Sequence, residues 1–167
     1  MLNLYVMRHS KSSWNEHNIN DFERPLSKRG RKDIKLIIAF LKKKKITFDL
    51  ACVSSSKRTK QTFKILKNDI HSKKIIYSKK FYLCSESFIL NTIRKTKKKY
   101  KNILIVNHEP CCKNLVLKLI KKNKLSFINK KFSTSAIAKL AFSIEDWESL
   151  KNYSGNLTLF KTPKDFY

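Results

Sequence analysis

Three apolar runs, each ending on a charged or hydrogen-bonding side chain, constrain this chain more than any other feature. Leu2-Asn3-Leu4-Tyr5-Val6-Met7 runs into Arg8-His9, and Leu50-Ala51-Cys52-Val53 runs into Ser54-Ser55-Ser56 and then Arg58. Ile103-Leu104-Ile105-Val106 runs into Asn107-His108-Glu109-Pro110. Short runs of this kind read as strands buried on both faces. The segments between them carry the 3.6-residue period of helices instead. Ser27 can cap a helix with Ile34, Ile37, Ile38 and Leu41 on its apolar face. Helix 57–68 presents Phe63, Ile65 and Leu66, and a helix from about Ser85 presents Phe88, Ile89 and Ile93. Helix 112–123 presents Leu115, Val116, Leu119 and Ile120. Strands are expected at 2–7, 49–54, 75–77 and 103–107, then near 136–142 and 156–161, with a polar loop over 9–26. Repeated strand-helix units predict an α/β three-layer sandwich: a mostly parallel central sheet with helices on both faces.

In an open α/β sheet, ligands bind outside the C-terminal ends of the strands. The strand ends here release Arg8, His9, Arg58 and His108. Two histidines and two arginines at that edge suggest a pocket for a phosphoryl group, with one histidine free to attack it. Only Gly30 and Gly155 are glycines, so neither a G-x-x-x-x-G-K-[ST] loop nor a G-x-G-x-x-G turn is present. A phosphate must be held by side chains.

The chain of 167 residues is expected to form a single domain, 1–167. No apolar run is long enough to span a membrane, and the N-terminal run has neither the basic start nor the cleavage site of a signal peptide. A cytoplasmic location with no membrane partner is the expectation. The net charge of +26 invites a nucleic-acid reading, yet lysine outnumbers arginine 32 to 6, as compositional bias would produce. The runs Lys42 to Lys45 and Lys97 to Lys99 are expected to close helices, where cations complement the dipole. They carry no interleaved aromatic residues for stacking on bases, so no specific nucleic-acid partner is expected. The scarcity of arginine makes Arg8 and Arg58 the basic residues to suspect first, because lysine cannot reproduce a planar two-donor grip on phosphate.

Cys52, Cys84, Cys111 and Cys112 show no zinc-site spacing and read as reduced thiols, mostly buried. His108-Glu109-Pro110-Cys111-Cys112 lacks a second cluster of suitable spacing, so neither a metal nor another cofactor is expected. Cys52 to Arg58 satisfies the C-x₅-R pattern of cysteine-dependent phosphatases. That loop needs glycine to turn its amides and an exposed thiolate, and Cys52 sits within a strand-like run.

Met7-Arg8-His9-Ser10-Lys11-Ser12-Ser13-Trp14-Asn15 resembles the Arg-His-Gly-Glu-Ser-x-Trp-Asn signature of the histidine phosphatase superfamily. Asp21-Phe22-Glu23-Arg24-Pro25-Leu26-Ser27-Lys28-Arg29-Gly30 is similar to its continuation. The later segments Ser54 to Thr62, Asn107 to Pro110 and Phe132 to Ala138 resemble, in order, those of SixA-type phosphohistidine phosphatases. The resemblance covers essentially the whole chain and implies a phosphoglycerate mutase-like fold. Two departures stand out: Ser10 replaces a glycine, and Asn107 replaces a small residue, either crowding the pocket or adding a donor.

With that resemblance, His9 is the expected nucleophile, forming a phosphoimidazole. Arg8, Arg58 and His108 are expected to bind the equatorial oxygens, where transition-state charge sits. Asn15, Asp21 and Glu86 are the further expected substrate-binding residues. Many relatives carry a glutamate acid after the third strand, where this chain offers no carboxylate until Glu86; Asp21 and Glu109 are the other candidates for that acid. An imidazole leaves more readily than an alkoxide, which favours a phosphohistidine on a carrier or phosphotransfer protein as substrate. A small-molecule phosphomonoesterase on the same scaffold, or a basic non-catalytic binding module, are the alternatives.

Overall fold

The computed structural model describes residues 1–15 and 18–167, with every side chain among them except those of residues 125, 126 and 128. Six strands form one sheet in the order β3-β2-β4-β1-β5-β6. They are β1 (Leu2–Arg8), β2 (Phe48–Ser54), β3 (Ser72–Ser78), β4 (Asn102–Asn107), β5 (Ile137–Phe142) and β6 (Asn156–Lys161). The β1–β4, β2–β4 and β2–β3 pairs are parallel, while β5 is antiparallel to both β1 and β6. The mostly parallel three-layer arrangement expected from the sequence is the one found.

Residue alternation along the central strands explains the layers. Leu4 and Val6 of β1, Ile103 and Ile105 of β4, and Leu50 and Cys52 of β2 face α3 (Glu86–Arg94) and α4 (Cys111–Leu119), where Ile89, Ile93, Leu115 and Leu119 cover them. Tyr5, Met7, Leu104, Val106, Ala51 and Val53 face the opposite layer, α1 (Lys28–Lys43) and α2 (Lys57–Leu66), against Ile34, Ile37, Leu41 and Phe63. Burial on both faces is why these strands read as unbroken apolar runs.

Ser27 caps α1 as expected, accepting from Gly30 N at 3.0 Å. Other boundaries moved. Helix 112–123 ends at Leu119 because Ile120 turns extended, and a 3₁₀ segment over Lys122–Asn129 follows. Strand 75–77 is longer, Ser72–Ser78. Lys97 to Lys99 lie in the turn beyond α3 rather than in its last residues, so only the Lys42 to Lys45 run meets a helix end.

The polar loop after β1 is fastened to the helices beneath it; its positions 16 and 17 lie outside the described residues. Lys11 O accepts from Ser27 N at 2.9 Å and from Ser27 Oγ at 3.0 Å. Gly30 packs directly under this strap, where an added Cβ would come within 2.2 Å of Lys11 O. Gly155 faces a similar limit, 2.9 Å from Leu119 O. Among the described residues, no helix is long and apolar enough to cross a membrane.

Candidate active site

β2, β4 and β1 are adjacent, so their C-terminal ends bring Arg58, His108 and His9 together, with Arg8 closing β1. His9 is 7% exposed, and its ring is held by Nδ1, which lies 2.7 Å from Ser10 O. A carbonyl can only accept, so Nδ1 carries the proton and Nε2 presents its lone pair. Arg58 Nε donates to that Nε2 at 3.3 Å. Burial lowers the His9 pKa to about 3, and the nearby His108, Arg58 and Arg8 push the same way, against the Ser10 carbonyl. The ring is neutral at physiological pH, as a nucleophile must be.

His108 sits with its ring centroid 5.0 Å from that of His9. Its Nε2 is 3.0 Å from Ser54 Oγ and 3.4 Å from Ser56 Oγ, and Arg58 Nη2 donates to its Nδ1 at 3.3 Å. Desolvation and the Arg58 charge hold its pKa down at about 3. Serine hydroxyls both donate and accept, so they can serve either tautomer of this ring. Ser56, at the N-cap position of α2, makes no side-chain cap and turns to Thr59 and His108.

Arg8 Nη1 donates to Phe132 O at 2.9 Å, while its buried Nε has no partner among the described residues. An unpartnered buried guanidinium donor costs free energy unless an anion completes it. Arg58 is engaged differently. Its Nη2 meets Asp21 Oδ2 at 2.8 Å, its Nη1 donates to Asp21 O, and Asp21 Oδ1 accepts from Arg24 at 2.9 Å. Tyr82 OH donates to Asp21 Oδ2 at 2.5 Å. Burial alone would raise the Asp21 pKa, but the bonds from Tyr82, Arg58 and Arg24 bring it down to about 2. Asp21 is thus a fixed anion occupying the fork of Arg58. It is not poised to deliver a proton near neutral pH.

Of the expected site residues, Arg8, His9, Arg58, His108 and Asp21 are brought together. Asn15 is not joined to them by any hydrogen bond among the described residues; it lines a separate shallow cavity with Lys11, Trp14 and Lys28. Glu86 sits in the first turn of α3, 3.4 Å from Lys118 Nζ, along a cavity it shares with His108 and Glu109. Glu109 has its pKa raised by burial, against its bond from Lys113 N and the charges of Arg8 and Lys113. Asn107 does not crowd the cluster. Its Oδ1 accepts from His108 N at 2.9 Å, and its amide nitrogen faces the sulfurs of Cys84 and Cys111. Cys52 is a core residue of β2 whose thiol burial pushes up to about 12, unlike an activated nucleophile.

Several supporting residues were not singled out as site residues in the sequence. Thr62 Oγ1 accepts from Ser10 N at 2.9 Å, and Gln61 Oε1 accepts from Leu26 N at 2.8 Å, pinning the two ends of the loop. Ser135 N donates to His9 O at 3.1 Å, and Ser135 Oγ donates to Ser10 Oγ at 2.7 Å. The Gln61-Thr62 and Ser135-Ala136 pairs were visible as motif fragments; Tyr82 had no such signal.

A profile of the histidine phosphatase superfamily (branch 1) matches residues 4–81. Over 163 residues the chain is 26% identical to an uncharacterized protein of Mycobacterium tuberculosis found in two strains, a match covering 95% of this chain and 100% of that protein. The protein histidine phosphatase SixA complexed with tungstate is similar in fold, with a TM-score of 0.83 at 20% identity, covering 99% of this chain and 100% of that one. A candidate phosphohistidine phosphatase SixA from Agrobacterium tumefaciens gives a TM-score of 0.82 at 22% identity, covering 97% and 98%. With this phosphoglycerate mutase-like sheet, the chain shares the fold of SixA-type phosphohistidine phosphatases, and over residues 4–81 its sequence is similar to the histidine phosphatase superfamily.

Proposed function

We propose that this protein is a phosphohistidine phosphatase acting through a covalent phospho-His9 intermediate. The observation that carries the reading is the fixed His9 ring: Nδ1 is committed to Ser10 O, and Nε2 is directed at Arg58. Nε2 attacks phosphorus as the substrate imidazole leaves, and water then attacks the phosphoimidazole, releasing phosphate and restoring the ring. Arg8 Nε and the Arg58 guanidinium supply donors for the equatorial oxygens as charge builds on them, and His108 Nδ1, which accepts from Arg58 in the free protein, joins them once the ring is protonated. An arriving phosphoryl dianion also reverses the balance that keeps His108 neutral, so the ring can carry a proton toward it. The phosphoryl group takes the place of Asp21 on Arg58.

Among the described residues, neither Asp21 nor Glu86 is placed to give a proton to a group leaving from His9, which fits a leaving group that departs readily; Glu109, whose pKa burial raises, is the remaining candidate acid. Asp21 is held ionised, and Glu86 is turned to Lys118. A similar fold holding tungstate, an oxyanion of phosphate-like shape, is consistent with an oxyanion pocket at these strand ends. The donors are cationic side chains, so turnover proceeds without a divalent metal.

The test is direct. The protein is offered a phosphohistidine carrier domain beside a panel of sugar phosphates, with and without EDTA, and acid-labile phosphate is sought on His9. Higher kcat/KM on the carrier, unaffected by EDTA, supports the proposal. Preference for a sugar phosphate moves the protein to small-molecule chemistry, and a strict metal requirement overturns the assigned mechanism.

A further inference from the structure

Two thiols meet on the flank of His108, outside the phosphoryl-binding cluster. Cys84 lies in the loop between β3 and α3, directly after Leu83, whose φ of 51° is a left-handed conformation unfavourable for a bulky side chain. That turn leaves Leu83 67% exposed and Cys84 half-buried, with the Cys84 thiol donating to Phe81 O at 3.3 Å. Cys111 opens α4, three residues after His108. Asn107 Nδ2 bridges the pair, 3.5 Å from Cys84 Sγ and 3.9 Å from Cys111 Sγ. Both residues line a cavity of about 340 Å³ that reaches His108 and Glu109.

The four cysteines differ sharply in chemistry. A hydrogen bond from Cys111 lowers Cys84 to about 7, aided by Asn107 and opposed by burial and Glu86. The same contact raises Cys111, and burial raises Cys112 and Cys52. One thiol of the pair is therefore a ready nucleophile and its neighbour a resolving group.

We propose that Cys84 and Cys111 form a reversible redox modification site, closed by exchange with a low-molecular-weight disulfide such as oxidised glutathione. The Cys84 thiolate attacks one sulfur of the small disulfide, forming a mixed disulfide and expelling one thiolate, which takes up a proton. Cys111 then gives its proton to solvent, and its sulfur attacks Cys84 Sγ, expelling the second small thiol. The two protein thiols lose two electrons, and one small disulfide becomes two thiols. The new bond would tie the loop carrying Tyr82 to the start of α4. Tyr82 packs edge-on against His108, 5.4 Å between centroids, and holds Asp21, so the tether restrains the cover that substrate must displace.

The chemistry stands independently of the phosphatase reading; its effect on turnover rests on that reading. The reduced protein is titrated with oxidised glutathione, and the product is mapped by mass spectrometry, thiol counting and, where turnover is present, kcat/KM. A Cys84–Cys111 disulfide in the parent, lost in Cys84→Ser and in Cys111→Ser but kept in Cys52→Ser, is expected. Iodoacetamide should label Cys84 first, with a midpoint near pH 7. Turnover should fall about tenfold on oxidation and return with dithiothreitol. Four persisting thiols, or glutathione left on Cys84 without closure, overturn the site. Full closure with unchanged turnover overturns the tether. A reduced protein inactive on every phosphorylated substrate overturns the phosphatase reading alone, and the thiol map still decides the pair.

Discussion

The protein carries two populations of positive charge that behave oppositely. Arg8 and Arg58 form a small cationic cluster at the strand ends beside two neutral histidines, Arg58 only 5% exposed and each histidine fixed by named hydrogen bonds. The lysines lie mostly on the surface, and their ion pairs, such as Lys42–Asp69 at 2.7 Å with both side chains near half exposed, face solvent. Pairs of that kind contribute about 0.2–1 kcal/mol each and are weakened by salt. Net charge therefore reports the lysines, while chemistry is concentrated in a few buried groups that scarcely affect the total.

The largest separation between the two populations should come from the proposed nucleophile. His9→Ala is expected to cut turnover by at least about a thousandfold and abolish acid-labile phosphoenzyme, read by rapid quench. Arg58→Ala should lower kcat about a hundredfold or more, and Arg58→Lys should restore little of it, because the Nε and Nη2 contacts need the planar fork. If lysine substitutes freely, the distinction drawn here collapses.

Asp21→Asn sharpens the comparison within the buried cluster. Because Asp21 occupies Arg58 but its side chain is 47% exposed, removing its charge should tighten inorganic phosphate binding by only about fivefold, measured by calorimetry. Weaker binding would restore Asp21 as a direct phosphate ligand. A pH–rate profile tests the histidines. Both have folded pKa values near 3, below the ordinary 6.5, so neither should produce an inflection in kcat/KM near pH 6.5. The same depression makes their contribution to stability full above pH 6.5 and progressively lost as pH falls toward 3, visible as a declining Tm in acid. The smallest effect belongs to the surface. Lys42→Ala should change stability by no more than about 0.5–1 kcal/mol and leave turnover of a small phosphoramidate untouched. Raising salt should slow reaction with an acidic carrier protein more than with that phosphoramidate, through lost steering.

The sheet was legible because β1, β2 and β4 are apolar on both faces, and the site was legible in so far as it hangs on their ends. Helix 112–123 was overextended because Ile120 continues the periodic pattern while its backbone has already turned extended. Asp21 looked like a ligand for substrate, since a sequence does not reveal that Arg58 will fold beneath it. Tyr82 and the Ser54–His108 contact join segments far apart in the chain, and neither residue lies on a periodic face. Glu86 drew attention by its place after the third strand, but helix geometry gives it to Lys118.

The strap over Gly30 limits which residues this position can hold. Lysine is abundant in the sequence, with 32 residues, and glycine is rare, with two. The two glycines stand where a single methyl group would strike backbone oxygen, Lys11 O at one and Leu119 O at the other. In a chain with so few glycines, each of these two marks a close approach of backbone to backbone. Gly30 marks the contact that keeps the loop after His9 seated, without carrying any functional group of its own.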